Sequence, residues 1–285
     1  MTGSPRPHRV SADNQLGLDW NDPEHPALPT LDMPPVPDQI RRMIDDGALV
    51  ISSHSGGKDS QAGFLYLKKI VPPGQLLAVH AVLPEVEWEG VIDHIEDTIG
   101  DTPLIFARAR KTFFEMVEHR GKFPSAAIRQ CTSDLKRGPI EREVRRHLAA
   151  NPQFGGKVIM AMGMRAEESL GRRKLPPLKR HAGNSVAGRE WWDWLPIHHL
   201  TTSEVFAAIA AAGQTPHPAY AAGMSRLSCI LCIMSSISDL KTAARLAPEV
   251  YQRYARTEKR LGFTLSMSRK TLPEITGVPL LAEAT

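Results

Sequence analysis

Ser55-Gly56-Gly57-Lys58-Asp59-Ser60 lies between an apolar run, Ala48-Leu49-Val50-Ile51, and an amphipathic stretch, Ala62-Gly63-Phe64-Leu65-Tyr66-Leu67. The order is strand, glycine turn, helix. Such a turn aims several backbone N–H groups at one point, and the helix adds the positive end of its dipole. Two glycines let an anion approach the backbone without a Cβ in the way. Lys58 contributes a mobile positive charge, and Ser55 and Ser60 contribute hydroxyl donors. The chemistry this suits is the holding of phosphate or pyrophosphate. The plainer reading is a tight turn whose Asp59 or Ser60 caps a helix. The spacing of a Walker A loop is absent.

Cys131 and the pair Cys229-Ile230-Leu231-Cys232 are the three cysteines of the chain. The C-x-x-C spacing lets two thiolates reach one metal or one another. Four readings stay open: an iron–sulfur cluster with an open iron, a zinc site, a dithiol redox pair, or buried apolar thiols. A zinc site needs a fourth ligand, and His217 is the nearest candidate upstream of the pair. An odd cysteine count with this spacing is a poor disulfide framework and fits a reducing cytosol.

Arg165, Arg172, Arg173, Lys174, Lys179, Arg180 and Arg189 crowd one segment broken by glycines and prolines, with Glu167 and Glu168 as early counter-charges. Such a segment closes over an anionic substrate, or is simply a solvated face. Trp191, Trp192 and Trp194 follow, to stack a base or to plug the core. Lys136, Arg137, Arg142, Arg145 and Arg146 make a second basic surface, partly offset by Glu141 and Glu143.

These groups need a scaffold. Strands are expected over 48–54, 76–83, 103–107 and 158–162, alternating with helices over 60–71, 89–99, 112–120 and 134–149. Helices are also expected over 39–46, 202–212, 239–246 and 248–261. Strand–helix alternation over 48–163 predicts an α/β fold, a doubly wound parallel sheet with ligands beyond the carboxyl ends of its strands. Residues 1–38 are proline-rich and read as a flexible arm, 39–200 as a nucleotide-binding domain, and 201–285 as a helical region carrying the cysteine pair. The 285 residues carry 42% hydrophobic side chains and a formal charge of +4. That suffices for a core and permits a nucleic-acid partner without demanding one. No apolar run approaches ~20 residues and no leader is evident, so a cytoplasmic protein with no membrane partner is expected.

The turn resembles the SGGxDS signature of the PP-loop ATP pyrophosphatases. Val86-Glu87-Trp88-Glu89-Gly90, the run from Arg129 to Ile140, Gly163 to Ser169, Leu195-Pro196-Ile197 and His217-Pro218-Ala219-Tyr220 follow in order. Together they resemble the phosphoadenosine phosphosulfate (PAPS) reductase family of that superfamily. The resemblance implies a Rossmann-like, adenine nucleotide alpha hydrolase-like fold with a helical C-terminal extension. It implies ATP and Mg²⁺ as cofactors, with phosphates on Ser55, Gly56, Gly57, Lys58, Asp59 and Ser60. Gly163, Arg172 and Arg173 would touch the nucleotide, and Lys58, Asp59 and Arg165 would serve catalysis. The reaction implied is adenylylation of a substrate oxygen with release of pyrophosphate.

Sulfonucleotide reductases of this family carry a cysteine in a C-terminal Glu-Cys-Gly-type tail, and here nothing after Cys232 is a cysteine. The chain is therefore more similar to the branch that thiolates DNA or tRNA. In that branch three cysteines hold a [4Fe-4S] cluster, which carries over to Cys131, Cys229 and Cys232, with Zn²⁺ as the alternative. A nucleic-acid substrate and a sulfur donor, a cysteine desulfurase or free sulfide, are the partners implied. A thioredoxin-linked reductase using Cys229 and Cys232, and a non-catalytic nucleotide- or DNA-binding protein, are the alternatives.

Overall fold

The computed structural model describes residues 34–282. The proline-rich arm, as far as residue 33, lies outside the described residues. Helix α1 (Asp38–Asp45) precedes β1 (Leu49–Ser53), α2 (Lys58–Ile70), β2 (Leu76–Val82), α3 (Val91–Ile99), β3 (Leu104–Arg108) and α4 (Phe113–Arg120). A single turn α5 (Gln130–Thr132) and a π-helical stretch, Ser133–Arg137, then lead into α6 (Gly138–Ala150). After β4 (Lys157–Met162) come the short α7 (Leu170–Arg173), β5 (Leu178–Arg180) and β6 (Glu190–Trp194). Helices α8 (Thr202–Ala211), α9 (Ile237–Leu246), α10 (Pro248–Leu261) and α11 (Leu272–Thr276) follow.

The six strands form one sheet in the order β3-β2-β1-β4-β6-β5. All neighbours are parallel except the edge strand β5, which runs antiparallel to β6. The runs read as strands are apolar on both faces because both faces are covered. Leu49, Ile51, Leu77, Val79, Val158 and Met160 pack with Val144 and Leu148 of α6. Their neighbours in sequence, Val50, Ala78, Ile159 and Ala161, pack on the other side with Ile40, Met43, Phe64 and Leu67 of α1 and α2. Each such aliphatic side chain contributes about 1.5–3 kcal/mol on burial. The alternation fixes the register, since a slip by one residue would exchange the two faces.

Strand order reverses between β1 and β4, which lie side by side with Ile51 opposite Met160. In doubly wound sheets that switch point opens a crevice at the carboxyl ends of the strands. The glycine turn leaves β1 and Gly163 leaves β4 at this place.

Four strands were legible as apolar runs; β5 and β6 were not. Their sequences, Leu-Lys-Arg and Glu-Trp-Trp-Asp-Trp, mix charge with bulk because each lies at or near the sheet edge. Trp191 and Trp194 are 1% and 3% exposed, so they fill the core and are closed to base stacking. The helix expected over 134–149 begins as a π turn and settles at Gly138, with Pro139 in its first turn. No helix among the described residues is long and apolar enough to cross a membrane.

Candidate nucleotide and thiol sites

At the turn, Gly56 has φ +75°, and a Cβ there would lie 2.5 Å from Val91 Cγ2. Gly57 caps α2 from an extended conformation, and a Cβ there would sit 3.3 Å from the Tyr220 hydroxyl. Several amides are pinned internally. The Ser55 N–H donates to Ser60 Oγ at 3.1 Å, the Gly56 N–H to His54 Nδ1 at 3.2 Å, and the Lys58 N–H to Tyr220 Oη at 3.0 Å. The Gly57, Asp59 and Ser60 amides have no acceptor among the described residues. Open N–H groups at the start of a thirteen-residue helix are the kind of donors that can hold an anion, although the Ser60 amide lies against Gly163.

His54 and Tyr220 are the props that sequence reasoning passed over. His54 is buried, and desolvation, helped by His80 and His94, lowers its pKa to about 3. It is therefore neutral, and its Nδ1 serves as a standing acceptor for Gly56. The Tyr220 oxygen accepts from both Lys58 and Leu227, the latter at 3.2 Å. Burial, then the charge of Asp59, pushes the Tyr220 phenol pKa up, so it stays protonated.

Lys58 is buried, with Nζ 3.1 Å from Asp59 Oδ2 and 5.4 Å from the centre of the Tyr220 ring. The other oxygen of Asp59 belongs to Arg165, whose Nε stands 2.6 Å from Oδ1. Arg165 is 2% exposed. Its Nη1 donates to Glu167 at 2.6 Å and to the Leu200 carbonyl at 3.0 Å, and its Nη2 to Thr202 Oγ1 at 3.0 Å. A guanidinium so fully engaged positions Asp59 and joins the segment after β4 to α8. Gly163 has a comparable part. A Cβ there would fall 2.5 Å from the Asp59 carbonyl oxygen, so only glycine lets the first turn of α2 rest on the end of β4.

The remaining basic residues of that segment disperse. Arg172 is tied to Glu168 and Arg173 is exposed on α7. Lys179 and Arg180 are exposed on edge strand β5.

The three thiols converge although Cys131 lies almost a hundred residues from the pair. Cys131, Cys229 and Cys232 lie near enough for their charges to act on one another, on Lys136 and on Tyr254. Each is half-buried and unbridged. The Ile230 N–H donates to the Val86 carbonyl at 2.9 Å, which fixes the pair's loop against the segment after β2. Burial raises the Cys131 and Cys229 pKa values; at Cys229, Lys136 opposes that rise. The Tyr254 hydroxyl is buried without a hydrogen-bond partner beside them. Among the described residues, no group of three or more His, Cys, Asp or Glu is gathered closely enough to hold a metal ion. The expected ligand set is thus brought together as neighbours but not closed as a coordination sphere. His217 stands elsewhere: its ring is 5.3 Å from that of His94, and burial lowers its pKa to about 4.

A glycine turn opening a helix at the switch point of a parallel sheet defines the PP-loop class of nucleotide-binding folds. A model of the phosphoadenosine phosphosulfate reductase domain matches residues 49–235, and the chain belongs to that family. It is 30% identical over 171 residues to an uncharacterized 37.8 kDa protein of Escherichia phage 186, covering 60% of this chain and 49% of that one. It is 21% identical over 206 residues to an uncharacterized protein of Methanocaldococcus jannaschii, covering 72% and 40%. The chain thus spans about half or less of these curated relatives. Among solved structures, it is similar to FMN adenylyltransferase of Candida glabrata with FAD and pyrophosphate (15% identity, TM-score 0.41, 67% and 64% covered). It is also similar to PAPS reductase of Candida auris in a phosphate complex (10% identity, TM-score 0.41, 69% and 97% covered).

Proposed function

We propose that this protein binds ATP on the turn 55–60, adenylylates an oxygen of its substrate, a nucleic acid, with release of pyrophosphate, and then lets sulfide-level sulfur displace AMP, which leaves with that oxygen. The observation that carries the reading is the set of open amides at Gly57, Asp59 and Ser60, beside a buried lysine at the switch point. Those amides would stabilise charge gathering on the departing pyrophosphate. Lys58 would leave Asp59 for the phosphates, which frees Asp59 Oδ2 to hold the Mg²⁺ that accompanies ATP. Arg165 keeps Asp59 aimed throughout. Gly163 lets α2 sit where its amides face the crevice, and Arg172 and Arg173 stand on α7 to meet the outer part of the nucleotide. Cys131, Cys229 and Cys232 are where we place the sulfur, supplied by a desulfurase or as sulfide.

The test is incubation with α-labelled ATP and candidate DNA or RNA. AMP and pyrophosphate should form, and Lys58→Ala should remove both. ATP left intact under every condition, or full activity in Lys58→Ala, overturns the reading. Sulfite released from adenylyl sulfates with thioredoxin would instead make the protein a reductase. Iron with a band in the 400 nm region, or stoichiometric zinc, would show that the thiols close on a metal.

A further inference from the structure

We propose that Arg108, Arg110 and Lys111, at the carboxyl end of β3 beside that of β2, form a landing site for the phosphodiester backbone of a nucleic acid; the proposal rests on the reading above. All three side chains are exposed. None has an ion-pair partner among the described residues, whereas Arg165 and Arg172 are neutralised by Asp59, Glu167 and Glu168. Three like charges within four residues repel one another, and a polyanion relieves that repulsion. Glu115, whose carboxylate accepts from the Thr112 N–H at 2.7 Å in the capping box of α4, makes no ion pair with any of the three.

The cations border a hollow of ≈ 120 Å³ walled by Val82, Leu83, Pro84 and Phe113. That is about four water volumes, room for a phosphate and part of its sugar but not for a whole nucleotide. The hollow opens at the same end of the sheet as the glycine turn, so a strand held there runs past the crevice. The platform is braced: the Arg108 carbonyl accepts from Arg142 Nη2 at 2.7 Å, and α4 starts two residues after Lys111, behind its cap Thr112. An exposed ridge of cations around a shallow hollow suits a continuous backbone better than a single enclosed phosphate.

The experiment compares the 285-residue chain with its Arg108→Ala/Arg110→Ala/Lys111→Ala variant. Fluorescence anisotropy on labelled single-stranded DNA, duplex DNA and tRNA is read from 50 to 200 mM salt, and ATP binding is measured separately. The triple variant should lose about 2.7 from the slope of log affinity against log salt on duplex DNA, and about 2.1 on a single strand. On the duplex that removes roughly 40-fold of the affinity change across this salt range. Arg108→Lys/Arg110→Lys/Lys111→Arg should keep the slope, and ATP affinity should stay within about twofold in both. An unchanged slope in the alanine variant overturns the proposal. So does a loss confined to ATP, which would give these cations to a phosphate of the nucleotide. A wild type that binds none of the three nucleic acids also overturns it, while ATP cleavage at the glycine turn would stand untouched.

Discussion

Two basic regions flank the same crevice and differ in what their charge is for. The segment after β4 is the richer in sequence; its first two arginines are engaged, Arg165 buried against Asp59 and Glu167 and Arg172 tied to Glu168, while Arg173, Lys174, Lys179 and Arg180 are exposed farther along it. The segment after β3 has fewer cations, and those it has are exposed and unpaired among the described residues. A charge count along the chain measures neither burial nor pairing, and both decide whether a guanidinium can meet a ligand. Buried charge here does structural work: it fixes the carboxylate of Asp59 between two cations and ties α8 to the nucleotide turn.

The sharpest way to break this contrast is Arg165→Ala. It leaves Asp59 short of a partner and strands Glu167 and Thr202, at a cost of about 3–5 kcal/mol read by urea denaturation. A loss below about 1 kcal/mol would mean that Arg165 is not the tie described.

Acidification probes two buried neutral histidines, His54, which accepts from the Gly56 amide of the turn, and His217, which accepts from the Ala219 amide. His54 and His217 are depressed to about 3 and about 4 from 6.5. The unfolded chain therefore takes up protons first as pH falls. Stability is complete above pH 6.5 and declines below it, by on the order of 2–4 kcal/mol at pH 5 for the two together. A flat thermal midpoint between pH 7 and pH 5 would show the histidines to be solvated.

Gly163→Ala forces a Cβ onto the Asp59 carbonyl, and neither backbone can yield cheaply. A cost of about 1–3 kcal/mol is expected, together with weakened ATP binding by titration calorimetry. Tyr220→Phe strips the acceptor from two amides and should cost about 1–3 kcal/mol, with ATP affinity falling in step. At the small end, Arg108→Ala, Arg110→Ala and Lys111→Ala should each shift stability by no more than about 0.5 kcal/mol. If these exposed cations proved as costly as Arg165, the contrast between the two regions would vanish.

Some of the molecule could be read directly from the chain. Runs such as Ala48–Ile51 and Val158–Met162 have one physical use, a parallel strand covered on both faces, so the central strands and the crevice were legible. Glycines at 56, 57 and 163 were legible too, though for Gly163 the cause is close packing of α2 on β4. The edge strands were hidden by their mixed composition, and the burial of Trp191 follows only once β6 lies against β4.

The order of strand, glycine turn and helix, and the family to which it belongs, were thus determined by local pattern, because periodicity and turn chemistry act over a few residues. Only the tertiary structure decided that Arg165 faces inward, that Tyr220 reaches back across 162 positions to the Lys58 amide, and that Cys131 comes within electrostatic range of Cys229, Cys232 and Lys136. Those outcomes depend on which surfaces meet after the sheet is wound, and pairing and desolvation, unlike residue type, are properties of contacts between distant segments.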